Sequence, residues 1–224
     1  MNRVVFDIET LAVPVETLDE GQQEYLFRSA RTEEERIDAL LKMNLTPFTA
    51  QILAIGMLNP DSTQGKVFYQ HPGGDASFVD DGRVELVPLT EEGIVREFWK
   101  TIAHYSQFIT FNGRSFDCPF LLLRSAIYDI PPTRNLMPYR YSFNEHCDLM
   151  EQLTFYGAFR KFSLDFYCRG FGIKSPKAEG ITGLDMGPLF GEGRYREIAE
   201  YCLRDVKATA ELFHRWHGLL AFEK

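Results

Sequence analysis

The sequence lacks any run of about 18 apolar residues, the length that a membrane-spanning helix needs. It therefore predicts no contact with a membrane. It also lacks CxxC pairs, since its four cysteines are spread along the chain. Because the N-terminal segment does not resemble a signal peptide, we expect free thiols that mostly pack in the core of a cytoplasmic protein.

Basic residues are in deficit, with 24 Lys and Arg against 32 Asp and Glu and a net charge of −8. This balance argues against strong nonspecific binding to duplex nucleic acid, which needs many cationic contacts with phosphate. It does not exclude a nuclease, because bound cations cancel part of the charge of an acidic metal site.

The segment 180–183 (GITG) lacks the Lys and Ser or Thr of a phosphate loop, and no Ser-His-Asp arrangement stands out.

The pattern of apolar residues predicts an α/β fold. The predicted strands are residues 3–10, 50–58, 66–70 and 108–111. The predicted helices are residues 90–105, 117–127, 163–170 and 194–217, with a short helix after Asp148 and Glu151, which are spaced as in a capping box. Three leading strands followed by strands that alternate with helices predict a mixed sheet with helices on both faces.

The chain shows no repeats and no low-complexity tract, and its length predicts one domain over residues 1–224. An acidic, helix-prone stretch predicts a helical insertion at about 16–45. Residues 71–83 contain Pro-Gly-Gly and Asp-Asp-Gly, which predict a loop.

Two carboxylates lie on one face of the first predicted strand. Asp7 and Glu9 are two residues apart, so their side chains point the same way, roughly 6–7 Å from each other. Two close, partly desolvated carboxylates repel each other, and a divalent cation with oxygen ligands, Mg²⁺ or Mn²⁺, removes that repulsion. A solvated strand face is the alternative, because Asp-x-Glu is common by chance.

An acidic residue interrupts the apolar stripe of the last predicted helix. Asp205 falls within the stripe that includes Cys202, and a buried Asp needs a partner. Tyr201 lies four residues earlier on the same face, so we expect a phenol and a carboxylate in one pocket. The alternative is that Asp205 pairs with Arg204 or Lys207 at the edge of the core.

A third acidic position, Asp117, stands at the start of a predicted helix. It follows the turn Asn112-Gly113 and precedes Pro119 by two residues. Asp is a preferred N-cap and Pro favours the first helical turn, so capping alone explains this residue. A role as a ligand depends on its occurring together with the other carboxylates.

Three segments together resemble the exonuclease motifs of the proofreading domains of family B DNA polymerases. They are FDIET (6–10), FNGRSFDCPFLLLRS (111–125) and YCLRD (201–205), and FSLDFYCRGFGIKSPK (162–177) resembles the segment before the third motif. The second motif is long and specific, and all three occur in order. The resemblance to these DEDD exonucleases implies an RNase H-like fold with a mixed five-stranded sheet. It also implies a small, free-standing relative, because the chain is too short to contain a polymerase.

The resemblance also implies roles for individual residues. The implied metal ligands are Asp7, Glu9, Asp117 and Asp205, which would hold two ions, Mg²⁺ or Mn²⁺. Tyr201 matches the tyrosine branch of the superfamily, whereas Glu200 stands where the histidine branch has its histidine. The positions implied to contact substrate are Thr10, Asn112 and Phe116.

The resulting hypothesis is two-metal hydrolysis of the terminal phosphodiester at a 3′ end, with release of nucleoside monophosphates. One ion, held by Asp7, Glu9 and Asp205, would activate water. The second ion, bridged by Asp7 and supported by Asp117, would stabilise the departing 3′-oxygen. Tyr201 would orient the attacking water, since a phenol with a pKa near 10 is a poor base at neutral pH.

The predicted substrate is a single-stranded 3′ end, DNA rather than RNA, held by stacking and a modest basic groove. Residues 134–177 are locally basic, and we expect at least half of the candidate stacking rings in the core. The rings considered are Phe116, Phe120, Tyr139, Tyr141, Phe143, Tyr167 and Phe171. A polymerase or repair protein acting in trans is the predicted protein partner.

Two other functions stay open at this point. An RNase D-like 3′–5′ exoribonuclease would use the same carboxylates and tyrosine, and would differ in its contact with the 2′-hydroxyl. A non-catalytic module that binds nucleic acid or a polymerase usually lacks one or more of the metal carboxylates, whereas this chain has all four.

Overall fold

A seven-stranded mixed sheet forms the centre of the computed structural model, which describes residues 2–221 apart from the side chains of residues 178 and 179. The strands are β1 (Arg3–Ala12), β2 (Ala50–Leu58), β3 (Gly65–Gln70), β4 (Ser77–Val79), β5 (Val84–Leu89), β6 (Gln107–Thr110) and β7 (His146–Asp148). Their order in the sheet is β4-β5-β3-β2-β1-β6-β7. β1 runs antiparallel to β2 and parallel to β6, so it occupies the interior of the sheet.

The prediction of five strands is wrong, although the mixed α/β class is confirmed. Part of residues 71–83, predicted as a loop, forms β4, which pairs antiparallel with β5. At the other edge β7 pairs parallel with β6. Both β4 and β7 have only three residues, too few to show an alternating pattern, so only their pairing identifies them as strands.

Eight α-helices surround the sheet in the described part of the chain. They are α1 (Glu20–Phe27), α2 (Glu33–Met43), α3 (Glu91–Ile102), α4 (Asp117–Ile127), α5 (Leu149–Leu153), α6 (Leu164–Gly170), α7 (Met186–Gly191) and α8 (Tyr195–Leu219). α1 and α2 lie within the predicted helical insertion, and each begins with a capping box. Among residues 2–221, no helix has the length and apolarity to cross a membrane.

The side chains of β1 alternate between two cores, one on each face of the sheet. Val4, Phe6 and Ile8 pack with α3 and α4, whereas Val5 packs in the core that includes α8. The alternation continues past Val5, so Asp7 and Glu9 point toward the α8 side. The four cysteines are buried free thiols, as expected.

A buried ion pair connects the helices of the α3–α4 face to the sheet. The Glu91 carboxylate lies 2.5 Å from Nη2 of Arg124 and accepts a hydrogen bond of 2.8 Å from the Ile52 N–H. It also accepts from the Tyr128 hydroxyl at 2.6 Å, and Arg124 donates to the Pro47 carbonyl at 2.9 Å. Every charged group in this network has a partner, which is the condition for keeping charge inside a fold.

We expect Arg124→Met to lower the free energy of unfolding by about 3–5 kcal/mol, because Glu91 would be left as an uncompensated buried charge. The matched control is Arg96→Met, which removes an exposed partner of Glu92 and should cost less than about 1 kcal/mol. Urea unfolding of both variants measures the difference. Equal losses in the two variants would show that the network contributes nothing specific.

Candidate active site

α8 comes unusually close to the sheet, at a glycine directly beside β1. Asp7 pairs with Gly56 across the β1–β2 ladder. A Cβ atom on Gly56 would lie only 2.7 Å from Cγ2 of Val206 and 3.1 Å from Sγ of Cys202, so only glycine leaves room for the helix. The Cys202 Sγ atom lies 3.6 Å from the Asp7 carbonyl oxygen. This close approach carries Asp205, one turn further along α8, to the carboxylates of β1.

Asp117 reaches the same place from α4. It is the first residue of that helix, and Phe116 occupies the N-cap position without a capping hydrogen bond, so the capping interpretation is wrong. The Asp117 side chain turns toward β1 instead, where its Oδ1 atom accepts a hydrogen bond of 3.1 Å from the Ile8 N–H. Only 2% of this residue is exposed. Asp117 is therefore positioned by the central strand rather than by its own helix.

The four predicted carboxylates line one open cleft of about 520 Å³, which we call the carboxylate cleft. Its lining residues are Asp7, Ile8, Glu9, Leu45, Phe111, Asn112, Ser115, Phe116, Asp117 and Asp205. The acidic residues come from β1, α4 and α8, three elements that are far apart in the sequence. Apolar side chains from the α2–β2 connection and from the segment after β6 form its rim.

Burial governs the electrostatics of this cleft. Desolvation, with additional repulsion from neighbouring carboxylates, raises the pKa of Asp7 and of Glu9 well above the ordinary value. Desolvation also raises the pKa of Asp117 to about 7 and that of Asp205 to about 6. Positive charge nearby compensates only in part, since Arg204 acts to lower the pKa of Glu9. Carboxylates in this situation either hold protons at neutral pH or bind cations.

The donor atoms in the cleft fit hard divalent cations. The ligand atoms of Asp7, Glu9 and Cys202 all lie within 4.8 Å of one another. Burial, and then the charges of Glu9 and Asp7, raise the pKa of the Cys202 thiol well above its usual range, and its Sγ atom lies 3.6 Å from the Asp7 carbonyl oxygen. The ligand atoms that line the cleft are carboxylate oxygens, which suit Mg²⁺ or Mn²⁺.

Tyr201 contacts Asp205, one of the carboxylates that line the cleft. It is buried, and its hydroxyl group donates a hydrogen bond to the Asp205 carboxylate. Burial, together with the charge of Asp205, strongly raises the pKa of this phenol. The alternative partner Lys207 pairs with Asp80 instead. Phenol and carboxylate thus lie in contact, as the helix pattern predicts, although Tyr201 is not among the described residues that line the carboxylate cleft.

The three residues predicted to contact substrate occupy different positions. Asn112 and Phe116 line the carboxylate cleft. Thr10 is not among the residues that line it in the described structure. Its hydroxyl group donates to the Asn44 carbonyl at 2.8 Å and ties β1 to the end of the predicted insertion. Thr10 therefore has a structural contact that the motif alone did not indicate.

A further buried carboxylate, at Asp148, organises the loop that carries the second motif. Its oxygens accept hydrogen bonds from the N–H groups of Asn112 at 3.0 Å and Arg114 at 2.9 Å, and from Met150 at 3.0 Å in its role as the cap of α5. The spacing to Glu151 indicated only the cap. Glu151 does not close a capping box and instead pairs with Arg114 at 3.3 Å. Asp148 reaches the motif loop because β7 pairs with β6, and the sequence did not predict this pairing.

The fold is similar to that of a segment of a family B DNA polymerase. The chain matches the structure of the family B DNA polymerase from the hyperthermophilic archaeon Pyrobaculum calidifontis with a TM-score of 0.63 and 16% sequence identity. The match covers 96% of this chain and 24% of the polymerase, so the chain spans about a quarter of the length of that protein.

A family model narrows this assignment. The model of a predicted 3′–5′ exonuclease related to the exonuclease domain of PolB matches residues 77–221. This is more than half of the chain, and the protein belongs to that family. No curated protein matches the chain significantly.

In EDTA, we expect the protein to lose stability as the pH rises from about 5 to 8. Because the pKa of Asp117 is raised to about 7, the folded state keeps a proton that the unfolded state has already released. This stabilisation is complete below the ordinary pKa of about 4 and is lost as the pH rises through the folded-state value.

Melting temperatures of the wild type and of Asp117→Asn, measured across this pH range, test the expectation. The amide cannot ionise, so the variant should lose less stability between pH 5 and 8 than the wild type. Asp38→Asn, at an exposed position paired with Lys42, is the control and should follow the wild type. Parallel curves for all three proteins would contradict the role of Asp117.

Proposed function

We propose that this protein is a metal-dependent 3′–5′ exonuclease that hydrolyses terminal phosphodiesters of single-stranded DNA and releases nucleoside monophosphates. The observation that carries the proposal is the convergence of four buried or half-buried carboxylates from β1, α4 and α8 in one open cleft. Membership in a family of predicted 3′–5′ exonucleases related to PolB supports the reaction and favours DNA as the substrate.

The carboxylates would hold a pair of divalent cations, Mg²⁺ or Mn²⁺. Asp7, Glu9 and Asp205 are suited to one ion, and Asp7 with Asp117 to the other. When bound, such ions supply Lewis acidity that favours ionisation of water and offsets the charge on the departing oxygen. The protein contributes a rigid set of oxygen ligands whose mutual repulsion favours cation binding.

Tyr201 would act by orientation. Burial raises the pKa of this phenol, and a phenol is a poor base at neutral pH even at its ordinary pKa of about 10, which supports orientation rather than proton removal. The hydrogen bond to Asp205 fixes the hydroxyl group behind the cleft. From there it can hold Asp205, and a water beside it, in a productive geometry.

The rim of the cleft would hold the terminal nucleotide. Leu45 and Phe116 present apolar surfaces, and Asn112 presents an amide, around the carboxylates. Apolar contacts of this kind suit the face of a base, and an amide suits the polar atoms of a nucleotide. Leu45 comes from the connection after α2, so the predicted insertion would contribute directly to substrate binding.

Asp7→Ala and Asp205→Ala should each reduce nucleotide release from labelled single-stranded DNA by about a thousandfold or more, because each change removes a ligand. Glu200→Gln, which changes a carboxylate of α8 that pairs with Arg196, is the matched control and should keep the wild-type rate. Excess EDTA should stop the wild-type reaction.

Parallel digestion of DNA and RNA oligomers of the same sequence decides the substrate. Faster release from RNA would replace DNA by RNA in the proposal. Full activity in EDTA, or in Asp7→Ala, would refute metal-dependent hydrolysis at this cleft.

Tyr201→Phe should lower the rate of hydrolysis by about 100-fold, because the attacking water would lose its alignment. Calorimetric titration with Mn²⁺ should give an affinity close to that of the wild type, since all four carboxylates remain. Tyr195→Phe, on the same helix but in contact with His71 and Phe190, is the control. An unchanged rate in Tyr201→Phe would remove the tyrosine from the mechanism.

A further inference from the structure

A row of aromatic side chains leads from the carboxylate cleft onto the protein surface. Phe111 lines the cleft, and its ring centroid lies 5.9 Å from that of Tyr167. Tyr167 lies 5.9 Å from Phe162, which stacks on Phe166 at 4.3 Å with an angle of 9° between the rings. We call these four residues the aromatic row.

The outer end of the row is exposed to solvent. Phe166 is 56% exposed, and in the preceding loop Phe155 is 57% and Phe159 is 68% exposed. Phe155 and Phe159 also lie close together, with centroids 5.8 Å apart. Phe155 and Gly157 have left-handed backbone conformations, with φ of +49° and +96°. Large rings gathered in solvent are characteristic of a binding surface rather than of a free one.

Cations lie among these rings although the protein is acidic overall. The guanidinium group of Arg160 lies 5.2 Å from the centre of the Phe162 ring, and Lys161 separates the two in sequence. Arg169 is exposed and pairs with Asp165 at 3.0 Å. Residues 155–169 thus carry three cations against one acid in a chain with a net charge of −8. This local charge is complementary to phosphate.

We infer that the aromatic row binds the single strand on the 5′ side of the scissile phosphodiester. A base would stack on the exposed ring of Phe166, which Phe162 backs, and phosphates would lie against Arg160 and Lys161. Alternating rings and cations are how proteins hold single strands without reading sequence. The inference rests on the proposed function for the direction of the strand. A strand whose 3′ end lies in the cleft extends out of the cleft toward its 5′ end.

A nucleic acid fits this surface better than a docking protein does. The row is continuous with the cleft through Phe111 and Tyr167, so a strand that enters the cleft meets the rings in succession. The exposed ring of Phe166, backed by Phe162, offers the flat surface that a base requires. The row therefore predicts that affinity increases with strand length beyond the nucleotides held in the cleft.

The experiment compares Phe166→Ala and Phe159→Ala with Phe78→Ala. Phe78 is 62% exposed but lies in β4, at the sheet edge opposite to β7, which makes it a matched control. Fluorescence anisotropy in Ca²⁺ measures binding to single-stranded DNA of about 12 and about three nucleotides. Phe166→Ala in the row, and Phe159→Ala in the exposed loop that precedes it, should each weaken binding of the long strand about fivefold or more and leave the short strand unchanged.

A second variant tests the charge without removing a ring. Lys161→Gln should reduce the slope of log Kd against log salt concentration by about 0.7 for the long strand, as expected for the loss of one phosphate contact. An unchanged slope would overturn the assignment of phosphates to this cation.

The outcomes separate this inference from the proposed function. If the wild type releases no nucleotides from either strand, the proposed function fails, whereas binding in Ca²⁺ still reports on the row. If the wild type hydrolyses both strands and Phe166→Ala and Phe159→Ala bind the long strand as Phe78→Ala does, the inference is overturned. That result would favour a protein partner as the ligand of the exposed rings.

Discussion

The candidate site depends on how closely α8 packs against β1 and β2 at Gly56. The carboxylates repel one another, so no interaction among them can bring them together. The burial of apolar side chains on the same helix, among them Leu212 and Phe213, provides the opposing free energy, at about 1.5–3 kcal/mol for each large side chain. A side chain on Gly56 would collide with Val206 and Cys202 and move Asp205 away from β1. The same packing of α8 on the sheet therefore forms the core and positions the carboxylates of the site.

Two buried aspartates next to the same motif loop have different roles, one in supporting the loop and one in lining the cleft. Asp148 accepts hydrogen bonds from several backbone N–H groups, so its oxygens are occupied in holding the loop. Asp117 is also buried but accepts from the Ile8 N–H through one oxygen, and it faces the cleft. Burial raises the pKa of Asp117 to about 7, and the hydrogen bond from Ile8 offsets only part of that effect. An aspartate with unused acceptor capacity in a cleft is suited to a cation, whereas a satisfied aspartate is suited to support.

The sequence predicted those parts of the fold and site that follow from local periodicity. A period of two placed Asp7 and Glu9 on one face, and the apolar stripe of α8 placed Asp205 and Tyr201 together. It could not decide between a cap and an inward-facing side chain for Asp117, because that choice depends on the distant Ile8 N–H. Part of the strand count failed for a similar reason, since three-residue strands such as β4 and β7 are defined by their partners. The six-residue β5 was also missed, and its length does not explain why.

The rings of residues 134–177 show the same limit, and they bear on how an acidic protein could act on a polyanion. Composition alone could not separate Phe143, which packs on Trp216, from the exposed Phe166. A cleft lined by carboxylates repels phosphate until cations fill it, and a net charge of −8 adds no long-range attraction. Stacking does not depend on net charge. An exposed aromatic surface can therefore provide affinity for a nucleic acid that the acidic protein does not attract by charge. An acidic cleft and an aromatic approach are thus complementary solutions to one electrostatic constraint.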